Sequence, residues 1–192
     1  MHDIEPFVNW QHLYLAEEDE LSPFYGQEHS EFTFSNKVYN YYIHPQWDSF
    51  GSETLYLKVL FADYDQQFVI IELIGEWNDA VENDVMALKR NVIDPMLESG
   101  IKKFILITEN VMNFHASDDS YYEEWHEDVV VENGWILFLN TPEHELQEIQ
   151  EAGINKYVCF LNYLKWRTHQ PVHLFELFDR QINGRGAKGI LE

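Results

Sequence analysis

The chain has 192 residues, 45% of them hydrophobic and 16% aromatic, which is enough apolar surface for one core without disulfide staples and too much for a disordered chain. Twelve Lys and Arg against 34 Asp and Glu leave a formal net charge of −22, a field that repels phosphate backbones and anionic membrane surfaces and so excludes nucleic acid and membrane as expected partners. The single cysteine, Cys159, sits in an apolar run and excludes a disulfide framework.

Residues 1–30 are the least regular, with Phe7, Trp10, Leu13 and Tyr14 as a short amphipathic turn and Glu17-Glu18-Asp19-Glu20 as a solvated loop. Residues 31–43 alternate weakly and are rich in aromatics, which suits strand, and His44-Pro45 through Gly51-Ser52 reads as a loop. Thr54 to Asp63 is a strand with Leu55, Leu57, Val59 and Phe61 on one face, turning at Asp65-Gln66-Gln67 into a second strand, Phe68 to Ile74. Asn78-Asp79 signals a helix start, and Val81, Val85, Leu88, Val92 and Met96 recur at helical spacing behind it. Pro95 disturbs the last turn and Ser99-Gly100 closes it.

Lys103 to Thr108 is a short apolar strand. Ser117-Asp118-Asp119-Ser120 is a cap cluster for a helix through Tyr122, Trp125 and Val129, ending near Asn133-Gly134. Trp135 to Leu139 is a strand, and Thr141-Pro142-Glu143 opens a helix that Gly153 ends. Lys156 to Leu161 is the last core strand, and after Pro171 the residues Leu174, Phe175, Leu177, Phe178 and Ile182 mark a final amphipathic helix. The order β-β-α-β-α-β-α-β-α predicts an α/β fold with a mixed sheet, parallel strands being joined by helices and the opening hairpin being antiparallel. The expected organisation is an N-terminal extension packing on the core (1–53), an α/β domain (54–183) and a flexible tail (184–192).

Four pieces stand in sequence order: Gly75-Glu76-Trp77-Asn78-Asp79-Ala80; Lys103-Phe104-Ile105-Leu106-Ile107; Val111-Met112-Asn113-Phe114; and Gly134 to Leu139 with Pro142 and Glu151-Ala152-Gly153-Ile154. In that order they resemble the STAS domain family, the fold of bacterial anti-sigma-factor antagonists. The resemblance covers residues 68–161. It implies a STAS-like fold and a non-enzymatic regulatory or binding role toward a protein partner or small ligand. The family's phosphorylation loop falls at Phe114-His115-Ala116-Ser117-Asp118, which makes Ser117 the phosphorylation candidate. Here Ala116 replaces the family's aspartate and the glycine is missing. Asp118 and Asp119 would also repel an added phosphate, so a helix cap is the competing reading of Ser117.

Glu123-x-x-His126 has the spacing of half a carboxylate-bridged metal site, and His115, Asp118, Glu123 and His126 form the metal candidate near the end of the third core strand. The competing reading of the Glu123–His126 pair is a solvated acidic helix face. His169-x-x-x-His173 has Pro171 between its members, which makes capping or surface roles the alternative. Gly184-x-Gly186-x-x-Gly189 matches a dinucleotide fingerprint in letters only, because it follows a helix and not a strand. No catalytic residue and no cofactor is assigned. Residues 104–155 contain no Lys or Arg, and within them the acidic edge around residues 109–132 is the expected working surface, which suits a basic protein partner. A metal-binding protein or enzyme centred on His115 to His126, and an oligomeric scaffold built on the aromatic N-terminal segment, are the alternatives. The start of the chain, Met1 to Pro6, lacks a basic region followed by an apolar stretch, and no apolar run reaches the roughly 20 residues that span a bilayer. A cytoplasmic protein is therefore expected.

Overall fold

The computed structural model describes residues 4–30 and 32–184. A small two-stranded ribbon, β1 (Lys37–Val38) and β2 (Tyr41–Tyr42), precedes a five-stranded sheet. The sheet is made of β3 (Leu55–Asp63), β4 (Phe68–Asn78), β5 (Lys103–His115), β6 (Trp135–Leu139) and β7 (Cys159–Leu161), in that spatial order. β3 runs antiparallel to β4, and β4 through β7 are parallel. Ten of the eleven residues of β4 are buried, as expected of a strand covered on both faces.

One face of the sheet carries the crossover helices. α1 (Asp84–Leu88), a π-helical turn (Lys89–Ile93) and α2 (Asp94–Glu98) follow one another without a break, then come α3 (Ser120–Val130) and α4 (Glu143–Glu151). Their apolar residues, among them Val85, Leu88, Val92, Trp125 and Ile149, pack with Val69, Ile71, Leu73, Phe104 and Leu106 of the strands. The other face is covered by α5 (Pro171–Gly184), whose Leu174, Phe175 and Phe178 pack on Phe68, Ile70, Ile105 and Ile107. No helix among the described residues is long and apolar enough to cross a membrane.

The described residues among the N-terminal 53 are spread over three apolar clusters. Ala16, Phe24 and Phe50 join the crossover-helix face, whereas Phe7 and Trp10 join the α5 face. Val38, Ile43 and Trp47 pack on Tyr56 and Ile74. Polar anchors fasten the segment to the sheet: Phe7 N donates to Glu72 Oε2 at 2.8 Å, and Lys58 Nζ lies 3.4 Å from Glu17 and 3.3 Å from Asp48.

The expected elements are present, with shifts that have physical causes. β3 does not keep one face: a bulge at Leu60 turns Phe61 to the α5 side, so that Ala62 replaces it under the helices. β4 runs on to Asn78, because the parallel ladder continues through Trp77↔Phe114 and Asn78↔His115. The helix accordingly starts five residues beyond Asp79, and Val81, expected on its buried stripe, lies in the preceding turn and is 77% exposed. The helix passes Pro95 by widening first, with Asp94 N bonded to Lys89 O, five residues back. β7 is shorter than expected because Ile154–Lys156 forms a 3₁₀ turn. Residues 31–43 supply only the four ribbon residues, Phe32 and Phe34 lie outside it, and Leu13 faces solvent while Trp10 is buried. Of the glycine-rich stretch, Gly184 ends α5 and Gly186 and Gly189 lie outside the described residues, as does the expected tail beyond Gly184.

Candidate functional site

The C-terminal ends of β4 and β5 form a shared platform braced by Asp79. Its Oδ1 accepts the Trp77 indole N–H at 2.9 Å and the Val85 N–H at 2.8 Å, and its Oδ2 accepts the Tyr122 hydroxyl at 2.6 Å. One buried carboxylate thus ties the end of a strand to the first turns of α1 and α3. Burial lifts its pKa to about 6 despite these three bonds. Asp79 N and Ala80 N both bond His115 O, which closes the platform on the β5 side.

The four residues of the metal candidate do not converge. His115 is exposed at the end of β5, and Asp118 accepts both the N–H and the hydroxyl of Ser120. Glu123 points to solvent, and His126 turns its Nδ1 to the Tyr157 carbonyl at 3.0 Å. No three of them come within ligating distance of one another among the described residues. Ser117 is exposed in the loop before α3, one residue short of the Asp118 that bonds the helix start. His169 accepts or donates a 2.7 Å bond with the Tyr163 hydroxyl, whereas His173 lies exposed on α5, so the two histidines do not act as a pair.

A different carboxylate group does converge: Asp94, Glu124 and Asp128. Its centre is filled by the chain's own cation. The Lys89 ammonium, on a side chain 1% exposed, lies 2.8 Å from Asp128 and 3.5 Å from Glu124, and it also bonds Asp94. Arg90 makes a two-pronged pair with Glu124 at 2.6 and 2.9 Å. Helical spacing did not predict the Lys89–Asp94 contact, because only a π-turn brings residues five apart onto one face. Lys89→Met keeps the buried stem and removes the charge-assisted bonds; urea unfolding is expected to show a loss of about 2 kcal/mol. An unchanged midpoint would mean that the ammonium contributes nothing there.

Two further polar groups were not legible from local pattern. Glu76, at the end of β4, accepts from the Tyr39 hydroxyl at 2.6 Å and from Asn113 Nδ2 at 3.0 Å, partners 37 residues away in either direction. Glu72, 1% exposed, sits under the N-terminal segment with Arg167, which also pairs with Glu109. Burial lifts Glu72 to about 7, the Phe7 N–H and Arg167 opposing the rise.

The outer surface of α3 and α4 is the feature that most sets this end of the molecule apart. The flanks of the two helices meet: Lys156, in the 3₁₀ turn after α4, lies 3.6 Å from Asp119, which precedes α3. Basic partners reach Asp119, Glu124, Asp128 and Glu132. Glu123, Glu127, Glu143 and Glu151 are exposed and have no ion-pair partner among the described residues.

No protein-family model matches the chain, and no curated protein sequence matches it. Among solved structures, the anti-sigma factor antagonist SpoIIAA in its unphosphorylated form is similar at 12% identity, covering 67% of this chain and 96% of that one with a TM-score of 0.48. The Bacillus cell fate determinant SpoIIAA in the phosphorylated form is similar at 13% identity, over 64% of this chain and 98% of that one, with a TM-score of 0.43. The protein TM1081 is similar at 12% identity, over 72% of this chain and all of that one, with a TM-score of 0.42.

Proposed function

We propose that the protein is a non-enzymatic binding module that engages a basic protein partner through the outer face of α3 and α4. The observation that carries this reading is the set of exposed carboxylates on two helices of the same sheet face, Glu123, Glu127, Glu143 and Glu151, in a stretch of 52 residues without Lys or Arg. Neighbouring acids already hold the nearby basic side chains, so this set keeps its field for an incoming partner. Crowding like charges works against the folded state, which makes solubility alone a costly reason for it. The STAS-like sequence pattern of residues 68–161 points toward the same regulatory class of role.

The test is a charge reversal at four solvent-facing positions, Glu123→Lys, Glu127→Lys, Glu143→Lys and Glu151→Lys. The probe is a Lys/Arg-rich peptide, with an acidic peptide of equal length as control. Wild type is expected to bind the basic probe, to weaken by about tenfold or more between low and physiological salt as screening sets in, and to lose the probe in the variant. Equal binding of basic and acidic probes, or an unaffected variant, would sink the reading.

A further inference from the structure

Exposed aromatic side chains are confined to one stretch of this protein. Tyr25, Phe32, Phe34, Tyr39, Tyr41 and Tyr42 are between 40% and 87% exposed, and no other Phe, Tyr or Trp among the described residues is exposed. Aromatics dominate burial energetics wherever they are covered, so Phe34, Tyr41 and Tyr42, left open around one recess, mark a surface that something else covers. Tyr and Phe are also the residues that enrich the centres of protein interfaces.

The geometry around the β1–β2 ribbon adds to this. Phe34, Asn40, Tyr41 and Tyr42 line a recess of about 400 Å³. Tyr39 holds a left-handed backbone, φ 52°, where Gly or Asn is the unstrained choice, and its hydroxyl is fixed by Glu76. Glu76 in turn holds Asn113 of β5, so the ribbon is bonded to the strand that leads into the acidic segment.

We infer that this aromatic surface docks an arginine-bearing segment of another protein, the guanidinium groups stacking on the exposed rings. Resting on the reading that the partner is basic, this specifies where and how its side chains are recognised. Two observations select the occupant. One of the rings already accepts a cation inside the molecule: Lys37, directly opposite Tyr42 across the ribbon, places its Nζ 4.7 Å from that ring's centroid. Residues 25–42 carry only Glu28, Glu31 and Lys37 as charged letters, but they belong to a chain of net charge −22. That field draws in a cationic segment and opposes a second copy of the same chain. Arginine is favoured over lysine because its planar, weakly hydrated head stacks on an aromatic face.

The test uses three synthetic ten-residue peptides in which Arg, Lys or Glu alternates with Gly, titrated into the full chain. The variant is Phe34→Ser, Tyr41→Ser and Tyr42→Ser, all exposed positions, with circular dichroism and thermal melting to confirm an unchanged fold. The Arg peptide is expected to bind more tightly than the Lys peptide, and the triple variant to lose about tenfold or more of the Arg affinity and the Arg-over-Lys preference with it. The four-site charge reversal on α3 and α4 is expected to weaken both basic peptides and keep that preference. A triple variant that binds the Arg peptide as wild type does overturns the aromatic site and leaves the acidic-face reading standing. Basic peptides that bind no better than the acidic one sink both. Dimerisation seen by light scattering and abolished by the triple variant gives the surface to a second copy and overturns the inference.

Discussion

Stability falls as pH rises from about 5 to 8, and Glu145→Gln removes the largest single part of that fall. Glu145 lies in the first turn of α4 and is 3% exposed, and neither carboxylate oxygen has a hydrogen-bond partner among the described residues. Burial, with Glu148 adding repulsion, raises its pKa from 4.5 to about 8. The native state therefore holds a proton that the unfolded chain has already released. Protons bound in excess by the native state make stability decrease with pH. The contribution is whole below about 4.5 and is lost as pH climbs through about 8. Over the range from about pH 5 to 8, about 1.4 kcal/mol per unit amounts to roughly 4 kcal/mol. Glu72 at about 7 and Asp79 at about 6 act in the same direction over narrower windows. Urea unfolding at pH 5 and pH 8 measures the effect: Glu145→Gln should flatten the dependence, and exposed Glu143→Gln should leave it as in wild type. Parallel curves for wild type and Glu145→Gln would show that the carboxylate finds water in the native state.

The two kinds of buried acid were unequally visible in the sequence. Glu72 interrupts an apolar run, Phe68 to Ile74, so a charged residue on a covered strand was readable as an anomaly. Glu145 sits among Glu143, Glu148 and Glu151, and nothing in the letters separates the one carboxylate that turns inward from those that do not. The elements of residues 54–161 were legible because periodicity reports which side of an element is covered. Their ends were less so, since Trp77 and Asn78 stay in the ladder only through pairing with Phe114 and His115.

The candidate site was legible as composition and not as geometry. The absence of basic residues from 104 to 155 located the acidic face. The metal candidate rested on closeness along the chain, but α3 sends Glu123 to solvent and His126 to Tyr157, while His115 stays behind on β5. The carboxylates that do gather needed Lys89, 35 and 39 residues before Glu124 and Asp128, as their centre. The aromatic ribbon read as a strand because aromatics favour strands, and only the fold reveals that its rings remain uncovered.

Gly75→Ala is expected to be the most destabilising single methyl that can be added to the platform. Gly75 pairs with Leu55 where β3 begins, and its φ of 121° lies where side-chain-bearing residues are strained. A Cβ there would stand 2.1 Å from Thr54 O and 3.3 Å from Leu55 Cα. Both obstacles are backbone, and Thr54 O is held in place by the Glu76 N–H at 2.9 Å, so neither can swing aside as a flexible side chain would. The left-handed backbone costs about 1–2 kcal/mol and the overlap about 1–3 kcal/mol more, for a total of roughly 3–5 kcal/mol. Gly100→Ala separates the two contributions: its φ is 96° and an added Cβ meets nothing within 4 Å, so only the strain, about 1–2 kcal/mol, should remain. Urea midpoints of the two variants measured together give the difference. If Gly75→Ala costs no more than Gly100→Ala, the start of β3 can move away from β4. The platform that Asp79, Glu76 and His115 build on that junction would then be less rigid than its bonds imply.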